Sequence, residues 1–409
     1  MADQSRRIIF ILGLSFVLVS VTNGLFWTVF RVFIYDIGGT FTEVALVSAV
    51  QNLSTIILSP FWGALSDEMG RRKPFIVFGS LSTVFFVPFF IAVNTIVEYL
   101  IVFAFASISL SIITPTVTAY LSDISEKEYR GRAMGYFFIF SSAGWTIGGL
   151  ISGFIAEIYG MDFVFVFSGV IGVIGALFMQ IFIREERSRS SADLKTSIEA
   201  AWTRVGSTLK GAFTIGKERQ LGILLLVILS FGFGSGIFFT LLQIKIFESL
   251  SRNYALYGIF NGASGLMSIL APPIYGYFAD RFDRRKVLQY TLICYSMYFV
   301  ILGIVWDPLI LGILWAIPLW PGVRISSLAL AADISKDKTI GEYQGFVNSS
   351  SAISQLIGAL IGGIIADLYN ARVNFSIIDI ILIFSAIGPL FGSIITSKIK
   401  KSTKIKKRK

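Results

Sequence analysis

Histidine is absent from the 409-residue chain, and cysteine occurs once, at Cys294. Without histidine there is no Ser-His-Asp or Cys-His nucleophile, no zinc site of the HExxH type and no histidine proton relay. A single cysteine excludes an internal disulfide, a CxxC metal site and an iron–sulfur cluster. GAFTIGKE (211–218) imitates a phosphate loop, yet no strand precedes it, and Glu218 stands where a Ser or Thr would hold magnesium. These gaps leave no expected metal, cofactor or enzymatic centre. Charge is also scarce, at 15% of residues, and lopsided, with 35 bases against 25 acids. On a soluble chain that excess would suggest nucleic acid. Here the bases lie between apolar segments rather than along one face, so no nucleic-acid partner is expected.

What fills the chain is apolar: 55% of residues, with a mean hydropathy of +0.75. A soluble domain of this size exposes too much surface to be so apolar, whereas lipid-facing helices have to be. Stretches of spanning length run at about 8–35, 43–65, 75–95, 98–122, 133–157 and 163–183, then at about 220–248, 254–279, 287–305, 309–332, 343–367 and 374–397. The expected fold is therefore an all-α membrane protein with twelve transmembrane helices. The first stretch follows Arg6 and Arg7 but is too long for a signal-peptide core and lacks a small-residue cleavage pattern, so it reads as an uncleaved helix.

With the N-terminus inside, cytoplasmic segments hold all but five of the 35 Lys and Arg. Arg252 and Arg372 fall outside, and Arg31, Lys245 and Arg324 fall within helices. That asymmetry predicts a cytoplasmic membrane location with both termini in the cytoplasm. The implied layout is an N-terminal six-helix half (1–183), a cytoplasmic linker (184–219), a C-terminal half (220–397) and a basic tail (398–409). In the linker, Leu194, Ile198, Trp202, Val205, Leu209 and Phe213 recur at helical spacing with Lys195, Arg204 and Lys210 between them. This predicts an amphipathic helix lying on the membrane surface.

The two halves repeat each other. GLFWTVFRVFIYD (24–36) aligns with GIFFTLLQIKIFE (236–248), and SPFWGALSDEMGRRK (59–73) with PPIYGYFADRFDRRK (272–286). Further on, DIS at 123–125 aligns with DIS at 333–335, and GGLISGFIAEIYG (148–160) with GALIGGIIADLYN (358–370). Ordered matches at nearly constant offset imply two parallel six-helix repeats, an architecture that binds solute between the halves near the bilayer midplane.

GALSDEMGRRK (63–73) resembles the signature loop between helices 2 and 3 of the major facilitator superfamily, G-x-x-x-D-R/K-x-G-R/K-R/K, and GYFADRFDRRK (276–286) resembles its second-half copy. Glu68 departs from the pattern where a base is usual, as does Asp283 where the second copy has Gly. Gly63 and Gly276 are expected to let neighbouring helices approach. Asp67 and Asp280 are placed to cap a helix N-terminus in the other half. Arg71 or Arg72 can pair with Asp123, and Arg284 or Arg285 with Asp333. The resemblance implies that these contacts form a cytoplasmic gate. In helix 5, GYFFIFSSAGWTIGGLISG (135–153) resembles the glycine motif of superfamily exporters that exchange solute for protons. Gly135, Gly144, Gly148 and Gly153 match as helix-packing positions, while Gly149 replaces the motif's proline and Ser152 a glycine. Gly144 and Gly148 share a face that is expected to meet helix 8.

The family lines its cavity with helices 1, 4, 7 and 10 and moves its halves through helices 2, 5, 8 and 11. Candidate solute contacts on these helices are Asn23, Arg31, Gln51, Asn52, Thr114, Gln243, Asn261, Arg324 and Gln355. Arg31 and Lys245 lie within a turn or two of the outer surface, where a long side chain can snorkel. Asp36, Glu43, Glu98, Glu157 and Glu248 sit at helix ends. Only Asp379 lies more than a turn inside, on the normally peripheral helix 12, so no proton-carrying residue stands out. The expectation is a monomeric secondary transporter of a small organic solute, an exporter with protons as the coupling ion. Uptake or exchange of an organic anion stands as the alternative, and a non-transporting sensor or membrane enzyme as the reading from another class.

Overall fold

The computed structural model describes residues 2–125, 130–183, 194–215, 218–335 and 340–400, and for 2–12, 130–133, 194, 207–215 and 340–342 the backbone alone. Lys127, Lys336, Lys338, the linker segment 184–193 and the tail from Lys401 onward lie outside the described residues, as do the side chains of Arg6, Arg7, Leu209, Lys210 and Phe213. Among the described residues there is no strand, and twelve helices are long and apolar enough to cross a membrane. They run Gly13–Asp36, Phe41–Glu68, Lys73–Ala92, Ile96–Ile124, Met134–Tyr159 and Met161–Phe182. The second six are Arg219–Ser249, Tyr254–Arg281, Arg284–Ile304, Pro308–Ile334, Tyr343–Leu368 and Ser376–Thr396. We number them spans 1 to 12. In hydrocarbon each backbone N–H and C=O must be satisfied within the segment, which the helix achieves. Within each unit, the end at which span 1 or span 7 begins is called terminal below, and the opposite end distal.

Proline interrupts three spans. Span 4, expected to be continuous, is two helices, Ile96–Leu110 and Ile113–Ile124. Pro115 lacks an N–H, and its ring crowds the carbonyl four residues back, at Ser111, where the helix parts. The Ser111 hydroxyl donates to the Ile108 carbonyl at 2.7 Å and accepts from Trp62 Nε1 at 3.1 Å, which ties the break down. Span 10 divides into Pro308–Trp315 and Trp320–Ile334, as PLWPG (318–322) predicts, and the Tyr298 hydroxyl donates to the Leu314 carbonyl at 3.2 Å. Span 12 divides at Ala386, upstream of Pro389.

Contacts group the chain into two compact units. The first comprises Met1–Ile37, Ser54–Ser207 and Asn253–Ile269, and the second Gly38–Leu53, Thr208–Arg252 and Leu270–Lys409. Each unit thus takes in the distal half of one span from the other repeat, span 8 in the first and span 2 in the second.

In the first unit, span 5 packs along span 1 through glycine. A Cβ on Gly144 would stand 2.4 Å from the Val17 carbonyl oxygen, and one on Gly148 2.2 Å from that of Val21. The second unit repeats the arrangement, with Gly358 meeting the Phe233 carbonyl and Gly236 that of Gln355. This corrects the expectation that Gly144 and Gly148 face span 8: their partner is span 1. Gly153, one turn on, does meet span 8, at the Tyr254 carbonyl. Gly135 has nothing within 4 Å of its added Cβ and is no packing position. Gly276 likewise has nothing within reach, and Gly63 meets only Pro115 at an ordinary 3.8 Å, so neither is required for close helix approach. The rest of the first unit's interior is aromatic, with Phe26, Phe30, Phe90, Phe103 and Phe165 stacked across spans 1, 3, 4 and 6.

The linker helix, Leu194–Ile215, forms as predicted, but its apolar face does more than rest on lipid. Ala201 and Val205 are buried with Phe61, Ala64 and Leu65 of span 2, and Ile198 packs against them. Trp202 lies 4.6 Å from Phe61, centroid to centroid, and keeps 46% of its surface exposed. Span 2 offers aromatic and small side chains at its terminal end, and burying them against the helix removes apolar area from water.

Candidate functional site

At the terminal rim of the first unit, Arg72 is the organising side chain. It pairs with Asp67, reaches Asp123 through Nε at 3.2 Å and donates from Nη1 to the Ser66 hydroxyl at 2.5 Å. One guanidinium, with donors in a fixed fork, therefore ties the loop after span 2 to the end of span 4. Arg71 is exposed, and of the two candidates only Arg72 meets Asp123. Asp67 takes a second base from outside its own loop: Arg204 of the linker helix lies 3.2 Å away and also meets Glu68 at 2.9 Å.

The second unit builds the same rim more sparely. Arg284 meets Asp333 at 2.8 Å and also donates toward the Ala329 carbonyl. Arg285 instead turns to Asp283 at 3.6 Å and to the Ile399 carbonyl at 3.0 Å. Asp280 is 70% exposed, with Arg284 at 3.6 Å. The ion pairs described for Asp67 and Asp280 lie within their own units; a capped helix N-terminus in the other half, as expected for them, is not among those contacts.

Of the intramembrane candidates, the structure gathers Arg31 and Asn261. Arg31 of span 1 lies in electrostatic contact with Tyr257 of span 8, one turn before Asn261. Asn261 Nδ2 donates to the Tyr257 carbonyl at 2.9 Å. Tyr257 is 1% exposed, so this is a buried polar cluster. Asn23 instead borders a small cleft with Phe26, Phe86, Phe90 and Phe165, while Thr114 is exposed on span 4. In the second unit, Gln51, Asn52 and Gln243 are half-buried, and Gln355 Nε2 donates to the Ser351 hydroxyl at 3.0 Å. Arg324 is exposed on span 10, with no ion pair or side-chain hydrogen bond among the described residues.

Lys245 is the largest departure from expectation. Rather than snorkelling, it is 0% exposed, and its ammonium donates to Asp379 Oδ1 at 2.7 Å and to the Leu302 and Gly303 carbonyls at 3.0 and 2.7 Å. Trp306 Nε1 donates to the other Asp379 oxygen at 2.8 Å, and its ring lies under the ammonium. All three Lys donors are used, so spans 7, 9 and 12 are joined by a satisfied ion pair. Its signal was in the sequence: an intramembrane base and an intramembrane acid in one repeat, each costly alone, call for each other. The same logic did not reach Arg204, because a linker base has solvent as an alternative partner.

The Major Facilitator Superfamily model matches residues 12–244 and again 224–409, one match for each repeat. The quinolone resistance protein NorA of Staphylococcus aureus is 23% identical over 407 residues, covering 97% of both chains. An uncharacterized MFS-type transporter of Methanocaldococcus jannaschii, MJ1560, is 24% identical over 90% of this chain and 95% of its own. Among solved structures, the nucleoside transporter NupG superposes with a TM-score of 0.76 at 12% identity, over 96% of this chain and 99% of that one. With twelve spans, two repeats, a doubled rim loop and a family match over nearly its whole length, the chain belongs to the major facilitator superfamily and is a membrane transporter rather than an enzyme.

Proposed function

We propose that the protein is a proton-coupled exporter of a small organic solute, working by alternating access in the cytoplasmic membrane as a monomer with both termini in the cytoplasm. Similarity along 97% of both chains to a quinolone resistance protein is the observation that carries export. The span 5 glycines that match the exporter motif agree with it: Gly144, Gly148 and Gly153 each meet backbone of a neighbouring span. The Lys and Arg distribution supports the orientation. The rim residues Asp67, Arg72 and Asp123, with Asp280, Arg284 and Asp333, form the cytoplasmic gate in this reading, and Arg324 with the Arg31–Tyr257–Asn261 cluster supplies solute contacts.

A second reading, uptake or exchange of an organic anion, is favoured by Arg324, an intramembrane cation with no acid paired to it among the described residues. Purified protein in liposomes, given a panel of quinolones, other aromatic solutes and organic anions with and without an imposed pH gradient, separates the two. Solute movement that follows the proton gradient supports export. Gradient-independent exchange of anions replaces it with the second reading.

A further inference from the structure

Spans 5 and 11 end distally in the same five-residue pattern, GFIAE (153–157) and GIIAD (363–367), at the same place in the two repeats. Glycine and acid are four apart, so they share a helix face one turn from each other. In both cases the glycine meets the first turn of a span from the other repeat. A Cβ on Gly153 would lie 2.2 Å from the Tyr254 carbonyl of span 8, and one on Gly363 2.7 Å from the Phe41 carbonyl of span 2. The acid then reaches that helix's free amides. Asp367 accepts from Phe41 N at 2.9 Å, from Thr42 N at 2.7 Å and from the Thr42 hydroxyl at 2.5 Å. Glu157 accepts from Tyr254 N at 2.7 Å and from Asn253 Nδ2 at 3.0 Å.

A helix N-terminus leaves its first amides without intrahelical partners, and its dipole favours a carboxylate there. On span 2 local sequence satisfies half of them: Thr40 N donates to Glu43 at 2.8 Å, and Glu43 N donates to the Thr40 hydroxyl at 3.1 Å. The two amides between, of Phe41 and Thr42, donate to Asp367. Span 8 is built alike, with Leu256 N served by Asn253 Oδ1 at 2.8 Å and Tyr254 N left to Glu157. Within the second unit, Arg372 adds a bond to the Gly38 carbonyl at 2.7 Å, just beyond the end of span 1.

We propose that Glu157 and Asp367 are the distal gate: each carboxylate clasps the N-terminus of a span from the other repeat, and the distal side opens only when both clasps release. The repeat symmetry makes it a paired device, and the glycine one turn away sets the close approach that lets so short a side chain reach. The proposal rests on alternating access but needs no solute identity, so its test stands apart from that of export.

The test places spin labels at Phe163→Cys and Val373→Cys, both exposed distal positions, in a Cys294→Ser background and reads the distance distribution in reconstituted full-length protein. Loss of one cap is expected to shift the ratio of long to short distances about five-fold. Glu157→Gln and Asp367→Asn should each do so, and the double variant should shift it about twenty-five-fold, since the two sites share no partner. Glu157→Asp should recover part of the shift. Variants that melt earlier but keep the parent's distances would make these caps structural only and overturn the proposal. Should the double variant not fold, the two single variants decide by the same measure.

Discussion

Glu68 and Arg204 face each other at 2.9 Å, one at the end of span 2 and the other on the linker helix. The family loop carries a base at the position of Glu68, so this chain reverses a charge and answers it with a base from elsewhere. The pair is half-exposed and is worth well under about 1 kcal/mol in stability. Its effect should be on docking. Glu68→Lys is expected to raise amide exchange across Leu194–Ile215 several-fold with little change in melting temperature, and adding Arg204→Glu should restore protection. Exchange that is equal in all three proteins would mean that Phe61, Ala64, Leu65, Ala201 and Val205 hold the helix unaided.

Lys245 and Asp379 behave oppositely because the ammonium is fully buried and the carboxylate largely so. Removing one partner strands the other in a low-dielectric surround, a loss of about 3–5 kcal/mol. Lys245→Met and Asp379→Asn should therefore each melt far below the parent in detergent. Replacing both, as Lys245→Met with Asp379→Leu, should recover most of the loss. If the double variant melts no higher than the singles, the Leu302 and Gly303 carbonyls and Trp306 matter more than the pair.

The span count, the repeat and the rim loops were legible because hydropathy and ordered matches record them directly. The partner of each face was not. Gly144 and Gly148 announce a close approach, yet a glycine pattern is the same whichever helix approaches it, and the neighbour proved to be span 1. Glu157 read as an ordinary helix-end acid and Asp367 drew no notice, because the amides they serve belong to residues about a hundred or more positions away in sequence. Arg72 and Arg71 are adjacent bases, and only the three-dimensional course of the loop selects one of them.

The glycine contacts make a graded prediction. Gly148→Leu forces a branched side chain into the Val21 carbonyl, where backbone on both sides leaves no room to relax. Overpacking of that kind costs about 3 kcal/mol or more. The variant should fail to assemble or melt well below the parent, rather than fold and stall. Gly135→Leu, facing open space, should be indistinguishable from the parent in yield and melting. Equal behaviour of the two would show that span 5 does not hold span 1 as described.

Arg324 separates binding from folding. It stands nine positions before Asp333 at the terminal rim, which places it roughly 13 Å deeper at 1.5 Å per residue. That is well inside a hydrocarbon core of about 30 Å. Its neighbours on span 10, Val323, Ser326 and Ser327, are buried within the second unit, while Arg324 projects from the other face. A cation at such depth is costly unless water, a partner or a ligand meets it. Its repeat mate Thr114 is uncharged and likewise exposed, so the two repeats offer unlike groups at one level. Removing Arg324 should leave the unit intact, in contrast to Lys245, because no described contact depends on its guanidinium. Arg324→Ala should therefore melt with the parent while its solute affinity falls at least about ten-fold. Arg324→Lys, which keeps the charge but loses the planar fork, should fall between them if the solute presents a carboxylate or other two-oxygen group. Melting curves paired with uptake kinetics in liposomes decide it. An Arg324→Ala protein that transports with the parent's affinity and rate removes this residue from the solute path.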